Sequence, residues 1–431
     1  MKQSIKRGLA AGLAIGCLAS AALPSAADGL AEVSVPPEVT ETGESVWLYE
    51  REAGESVADL ILAAGAEAWN ETAAVPAEAS DLKVGGKGAV LIDLDSGRVL
   101  FEQDSHTRVP IASVTKVMTL LLIFEAMDEG RVTEETTVTC SAEAASMGGS
   151  QIWLKEGEIM SVCDLLKAIA VVSANDACAA MAEHLDGSVA AFVARMNRRA
   201  AELGMQDTQF LDCCGLDDTA YSSAYDVALM SRELMRHPQI QKYTTIWMDT
   251  LRGGASQLVN TNKLVRFYKG ATGLKTGTTA AAGHCLAATA ERSGLRLCAV
   301  ILGCATTDER FGGARAMLDF GFANYAVYTP SVDPEQLPPL RVLHGEQTEV
   351  HVSARPMETL LVKKGQEQQV RCEVRMAEDV EAPVYAGETL GEVAVCLGEE
   401  TLASYPLLAA EDIPRLSIGT ALRRLWAALV W

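Results

Sequence analysis

The chain has 431 residues and a formal net charge of −21, from 57 acidic and 36 basic side chains. No basic stripe interrupts that acidity, which argues against a nucleic-acid partner. The length holds two or three domains with a sizeable core, and no uninterrupted apolar run of about eighteen residues predicts a membrane-crossing helix in the mature region.

In chain order, residues 1–27 read as an export signal: Lys2, Lys6 and Arg7, an apolar stretch from Leu9 to Leu23, and a small-residue cleavage site at Ser25-Ala26-Ala27. Lipidation at Cys17 is the rival reading, disfavoured by Ala14 three places before it. The protein is therefore expected at the extracytoplasmic face of the cell membrane. Residues 28–85 form an acidic extension rich in Ala, Glu and Pro, with a possible helix from Val57 to Trp69 and no assigned chemistry.

Residues 86–330 change texture. Ala89–Leu94 and Arg98–Phe101 around Asp95-Ser96-Gly97 predict a hairpin. Helical patterns fill Pro110 to about Met235. One starts after Pro110 and stops at Gly130, and another follows a capping signal at Ser161-Val-Cys-Asp164. A strand starting at Lys275 precedes strands over Gly283–Ala290 and Leu295–Leu302, then a helix from about Phe311 to Tyr325. This predicts an α+β domain, an antiparallel sheet with helices packed on it. Short alternating runs over 331–412, divided by Pro and Gly turns, predict a small all-β domain. In residues 413–431, Leu422, Leu425, Trp426, Leu429 and Val430 recur at helical spacing beside Arg415, Arg423 and Arg424. That is an amphipathic helix, read as an interfacial membrane anchor; packing on the β domain is the alternative.

The ten cysteines beyond Cys17 show neither Cys-x-x-Cys nor zinc-like spacing. Most sit in apolar runs and read as buried thiols, while adjacent Cys213 and Cys214 have no explanation at this level. No metal or cofactor is expected.

The chemistry lies in three stretches: Ser113-Val-Thr-Lys116, Ser173-Ala-Asn175 and Lys275-Thr276-Gly277. They supply a hydroxyl nucleophile with a lysine base, a second hydroxyl with an amide, and a cation with a hydroxyl on a strand. Ser-x-x-Lys also occurs at Ser80-Asp-Leu-Lys83, but Val-Gly-Gly-Lys-Gly follows it and stops a helix. Ser113 and Lys116 share one helix face, and the helix is apolar nearly all round, which predicts burial. Burial and the nearby Lys275 favour the neutral amine that a base requires.

These motifs, with Pro110-Ile-Ala-Ser-Val-Thr-Lys-Val-Met-Thr, Ser146-Met-Gly-Gly-Ser-Gln, Asn260-Thr-Asn and Gly273-Leu-Lys-Thr-Gly-Thr-Thr, resemble the low-molecular-mass penicillin-binding proteins, the serine-type D-alanyl-D-alanine carboxypeptidases. The resemblance runs from about Gly86 to Tyr325 and extends to the β domain and amphipathic tail. It implies a penicillin-binding/β-lactamase-like catalytic domain. It also implies removal of the terminal D-Ala from peptidoglycan stem pentapeptides, with β-lactam antibiotics as covalent inhibitors. By position, Ser113 forms the acyl-enzyme, Lys116 takes its proton, Ser173 relays a proton to the leaving D-alanine and Asn175 holds the substrate amide. Lys275, Thr276 and Arg310 lie near the substrate carboxylate, Gly277 lets the ligand approach, and the amides of Ser113 and Thr278 form the oxyanion hole. The acidic extension and the cysteine count fall outside the family pattern. Rival readings are a β-lactamase-like hydrolase, for which no Glu-x-x-Leu-Asn stretch is found, and a penicillin-binding protein without turnover. A Ser-His-Asp hydrolase lacks its Gly-x-Ser-x-Gly elbow.

Overall fold

The computed structural model describes residues 78–333 and 337–430. The expected export signal, the Val57–Trp69 helix and most of the acidic extension lie outside the described residues.

Five strands build the central sheet: β1 (Gly88–Asp93), β2 (Val99–Gln103), β3 (Ala271–Thr279), β4 (Gly283–Arg292) and β5 (Leu295–Cys304). Their spatial order is β2-β1-β5-β4-β3, antiparallel throughout, with Leu91 opposite Ala299 and Lys275 opposite Ala287. The hairpin and the β4–β5 pair fall where the sequence places them. Strand β3 differs: it begins at Ala271, so Lys275 sits in mid-strand and not at a strand entry. The glycine-bearing segment Ala271-Thr-Gly extends the ladder toward β4 with a register shift between Ala271 and Gly273, a bulge that strand propensity does not announce.

The apolar run in β1 does not alternate because the sheet is covered on both sides. Val90 and Ile92 join one hydrophobic cluster with the helices, whereas Ala89 and Leu91 join another with the helix after β5. The helices are α1 (Lys116–Asp128), α2 (Val162–Val171), α3 (Asn175–Asp186), α4 (Val189–Glu202), α5 (Ala224–Leu234) and α6 (Thr307–Asn324). Ser161 caps α2 by accepting from Asp164 N at 3.1 Å, as its sequence signal predicts. Helix α1 is buried from Lys116 through Phe124, the expected fate of a helix apolar all round.

The helical segment does not open as an α-helix at Ser113. Residues Ala112–Thr115 form a 3₁₀ turn, and α1 begins at Lys116. In 3₁₀ geometry side chains at i and i+3 eclipse, so the turn places Ser113 and Lys116 over one another more directly than an α-helix does. The other Ser-x-x-Lys copy fails by environment, because Ser80 lies exposed in a three-residue 3₁₀ turn (Ala79–Asp81) and Lys83 is exposed beyond it.

Beyond α6, strand Tyr325–Tyr328 pairs antiparallel with Leu360–Lys363. A four-stranded sheet of Val352–Ala354, Glu400–Ala409, Thr389–Leu397 and Val370–Met376 surrounds a small core including Val350, Val393 and Leu407. A final helix, α7 (Ile418–Val430), closes the described chain.

Strand β3 packs tightly on the 3₁₀ turn. A Cβ at Gly277 would fall 2.7 Å from Ile111 O and 2.9 Å from the backbone nitrogens of Ser113 and Val114. Backbone cannot yield as a flexible side chain does, so Gly277→Ala is expected to lower stability by ~1–3 kcal/mol, read by urea unfolding. An unchanged unfolding midpoint would show that turn and strand separate freely.

Candidate active site

Lys116 is fully buried, and its Nζ donates to Ser113 Oγ at 2.8 Å and to the Cys214 carbonyl at 2.8 Å. Both partners are uncharged. A buried amine needs its polar contacts satisfied, and these two satisfy it without a carboxylate. Ser113 itself remains partly accessible.

The residue before Ser113, Ala112, adopts φ 48°, and Ser173 adopts φ 65°. Left-handed non-glycine residues cost ~1–3 kcal/mol each and cluster at functional sites. Ser173 lies between α2 and α3, where a helix-capping role is the ordinary explanation for a serine. It does not cap: the N-cap of α3 is Ala174, and the buried Ser173 Oγ has no hydrogen-bond partner within the protein. Asn175, the first residue of α3, donates from Nδ2 to Gly148 O at 2.7 Å, while its buried Oδ1 has no protein partner. Gly149 lies against that amide, since a Cβ there would stand 2.7 Å from Asn175 Nδ2.

The neighbouring Asp176 accepts from the amides of Ile152, Leu154 and Ala177 at 2.9–3.2 Å. It thereby ties the Ile152–Leu154 segment to the start of α3. Burial holds its carboxyl above the usual range, and the three amides oppose that shift. The Cys178 thiol, two residues later, is likewise pushed up by burial.

Lys275 is buried and donates to Thr276 O at 3.1 Å. Thr276 Oγ1 is 2.6 Å from Thr261 Oγ1, and Thr261 N donates to Val171 O at 3.2 Å. Thr261 therefore bridges β3 to the end of α2. Arg310, buried in the first turn of α6, donates from Nη1 to Gly277 O (3.3 Å), Thr278 Oγ1 (3.2 Å) and Cys285 O (3.4 Å), and its guanidinium lies 4.6 Å from the Phe311 ring centroid. The nearby His284 is a β4 residue opposite Thr278.

The fold thus joins Ser113 with Lys116, packs Gly277 on their turn, and sets Arg310 behind Gly277 and Thr278. It makes no hydrogen bond from Ser173 Oγ to either Ser113 or Lys116. Sequence reasoning missed Cys214 and Thr261. The first acts through its backbone carbonyl, which carries no residue-type signal; the second is a short polar residue in a loop, where turn formation is the ordinary reading. The ten described cysteines are free thiols. Burial pushes Cys285 up to about 11 and Cys298 to about 12, which suits inert core thiols.

Residues 71–306 match the D-alanyl-D-alanine carboxypeptidase family model, and residues 334–415 match that of the penicillin-binding protein 5 C-terminal domain. The chain is 40% identical over 350 residues to D-alanyl-D-alanine carboxypeptidase DacF of Bacillus subtilis, covering 80% of this chain and 90% of that one. It is 31% identical to DacC of Escherichia coli, covering 80% and 87%. Penicillin-binding protein 5 of Haemophilus influenzae superposes with a TM-score of 0.67 at 29% identity, covering 80% of this chain and all of that one. Penicillin-binding protein D2 of Listeria monocytogenes, in its ampicillin-bound form, does so with a TM-score of 0.52 at 33% identity, covering 56% and 99%. With the buried lysine on the serine and these matches across both halves, the chain belongs to the D-alanyl-D-alanine carboxypeptidase family.

Proposed function

We propose that this enzyme removes the terminal D-Ala from peptidoglycan stem pentapeptides through a Ser113 acyl-enzyme, and that β-lactams acylate the same serine. The observation that carries this reading is the 2.8 Å hydrogen bond between the fully buried Lys116 Nζ and Ser113 Oγ. Lys116 takes the Ser113 proton as Oγ attacks the carbonyl carbon of the penultimate D-Ala. The amides of Ser113 and Thr278 receive the oxyanion, where each donor is worth ~10²–10³ in rate. Ser173 Oγ, with no partner in the protein, relays a proton to the departing D-alanine nitrogen, and Asn175 holds the substrate amide. Water then releases the shortened peptide. Lys275, Thr276 and Arg310 serve the terminal carboxylate, with Gly277 leaving room for the substrate backbone.

The reaction belongs outside the cytoplasm, where peptidoglycan lies. We assign membrane attachment to α7, which exposes Ile418, Leu422, Leu425, Trp426 and Leu429. Among the described residues no helix is long and apolar enough to cross a membrane; the exposed apolar side chains of α7 beside Arg423 and Arg424 support binding in the plane of a membrane surface. Each large side chain buried there contributes up to ~1.5–3 kcal/mol, and each arginine ~1 kcal/mol on anionic lipid.

Labelled penicillin is expected to bind covalently and survive denaturation. Ser113→Ala abolishes the label and Ser80→Ala preserves it; mass spectrometry of the labelled peptide decides, and label elsewhere would sink the assignment. Truncation before Pro414 is expected to yield active enzyme that no longer sediments with membranes. Persistent sedimentation would move the anchor to the N-terminal segment. Arg310→Ala is expected to cut hydrolysis of D-Ala-D-Ala peptides by roughly 10–100-fold, the equivalent of one ~1.5–3 kcal/mol bond to a charged group. An analogue with an amidated terminal carboxylate should lose far less, and equal losses would leave the carboxylate to Lys275.

A further inference from the structure

The Leu211–Thr219 loop approaches both members of the Ser113–Lys116 pair, and its shape depends on one side chain. Its base is fixed conventionally: Asn197 bonds both backbone groups of Phe210, and Gln209 pairs with Tyr221. Its tip folds around Asp212. Asp212 Oδ1 accepts from Cys214 N at 2.6 Å and from Gly215 N, while Oδ2 accepts from Asp217 N at 2.6 Å.

Two consequences reach the reacting groups. The Cys214 carbonyl is delivered to Lys116 Nζ, and the Cys213 carbonyl accepts from Thr119 Oγ1, one turn along α1. Gly215, at φ 83°, presses on the 3₁₀ turn so closely that a Cβ would collide with Ala112 O and stand 2.9 Å from Thr115 Oγ1. Ala112 is itself the left-handed residue before the nucleophile. One carboxylate therefore sets the second acceptor of the lysine and the surface against which the serine turn is braced.

We infer that Asp212 is a positioning residue for acyl transfer, acting through the Cys214 carbonyl on Lys116 and through Gly215 on the Ser113 turn. The inference rests on the reading of Lys116 as the base. Asp212 acts by acceptor geometry and not by charge, because its oxygens are taken up by backbone amides and the contact with Lys116 is a neutral carbonyl.

The test measures kcat and KM on a D-Ala-D-Ala peptide, acylation by a labelled penicillin, and thermal unfolding for the full chain and its variants. Asp212→Ala should lose about 10–100-fold in kcat and in acylation rate, the scale of a small misplacement of reacting groups, with KM within about threefold. Asp212→Asn keeps an Oδ1 acceptor for Cys214 and Gly215 and should stay within about threefold of the parent. Asp212→Glu keeps the charge but displaces the carboxylate by a methylene, and should fall by about tenfold or more. Should Asp212→Ala fail to fold, the Asn and Glu variants decide. Parent-like kcat in Asp212→Ala, a loss confined to KM, or a Glu variant at least as active as the Asn variant would overturn the inference. Lys116→Arg separates the two readings: normal acylation there overturns both, whereas a dead Lys116→Arg beside a fully active Asp212→Ala overturns the role of Asp212 alone.

Discussion

The structure is organised around keeping one primary amine out of water without giving it a counter-ion. An amine removed from solvent requires hydrogen-bond partners, and an adjacent carboxylate would favour its charged form. Lys116 has a hydroxyl and a carbonyl at 2.8 Å, and no carboxylate pairs with it among the described residues. Exclusion of water comes from α1, buried along its whole first half, and from the helices and sheet around it. The acceptors come from a turn and a loop that must touch it from different directions. Those contacts account for Gly277 and Gly215, where any side chain would meet backbone.

Two of the seven left-handed non-glycine residues among the described residues lie at the same place. Ala112 and Ser173 hold left-handed backbone at ~1–3 kcal/mol each. The cost is small against an interior where each buried large apolar side chain contributes ~1.5–3 kcal/mol. Helix α1 alone buries Leu120, Leu121, Leu122, Ile123 and Phe124. A rigid core surrounds the strained residues and keeps Ser113 Oγ and Ser173 Oγ where solvent-exposed loops would let them relax.

Much of this was legible in the chain. Periodicity and turn residues located the hairpin, the β4–β5 pair, α1 and the amphipathic tail, because each is a local pattern. Ser113 and Lys116 were legible because their spacing is itself the geometry. The 3₁₀ form of their turn was not, since Ile111-Ala-Ser-Val-Thr is compatible with an α-helix until Gly277 and Gly215 press on it. Nor was the second acceptor of Lys116, a backbone carbonyl 98 residues away in sequence. Ser173 and Asn175 stand out by their place among the three motifs, although Ser and Asn between helices also suit capping; their burial with partnerless oxygens, which no local pattern carries, is what the structure adds.

The acidity of the chain, at −21, opposes an anionic substrate, yet the site handles its carboxylates and its cations separately. Asp176, beside Asn175, and Asp212, in the loop that meets Lys116, spend their oxygens on backbone amides: three for Asp176 and three for Asp212. Each organises a loop instead of neutralising a lysine. Lys275 and Arg310 are buried on the β3 side, with backbone carbonyls among their acceptors. Surface charge is screened over about 8–10 Å in physiological salt, whereas buried cations act on a bound ligand with little screening. On the proposed reading, the sign felt by a bound substrate is set by Lys275 and Arg310, and the excess acidity of the surface governs solubility and approach instead of binding.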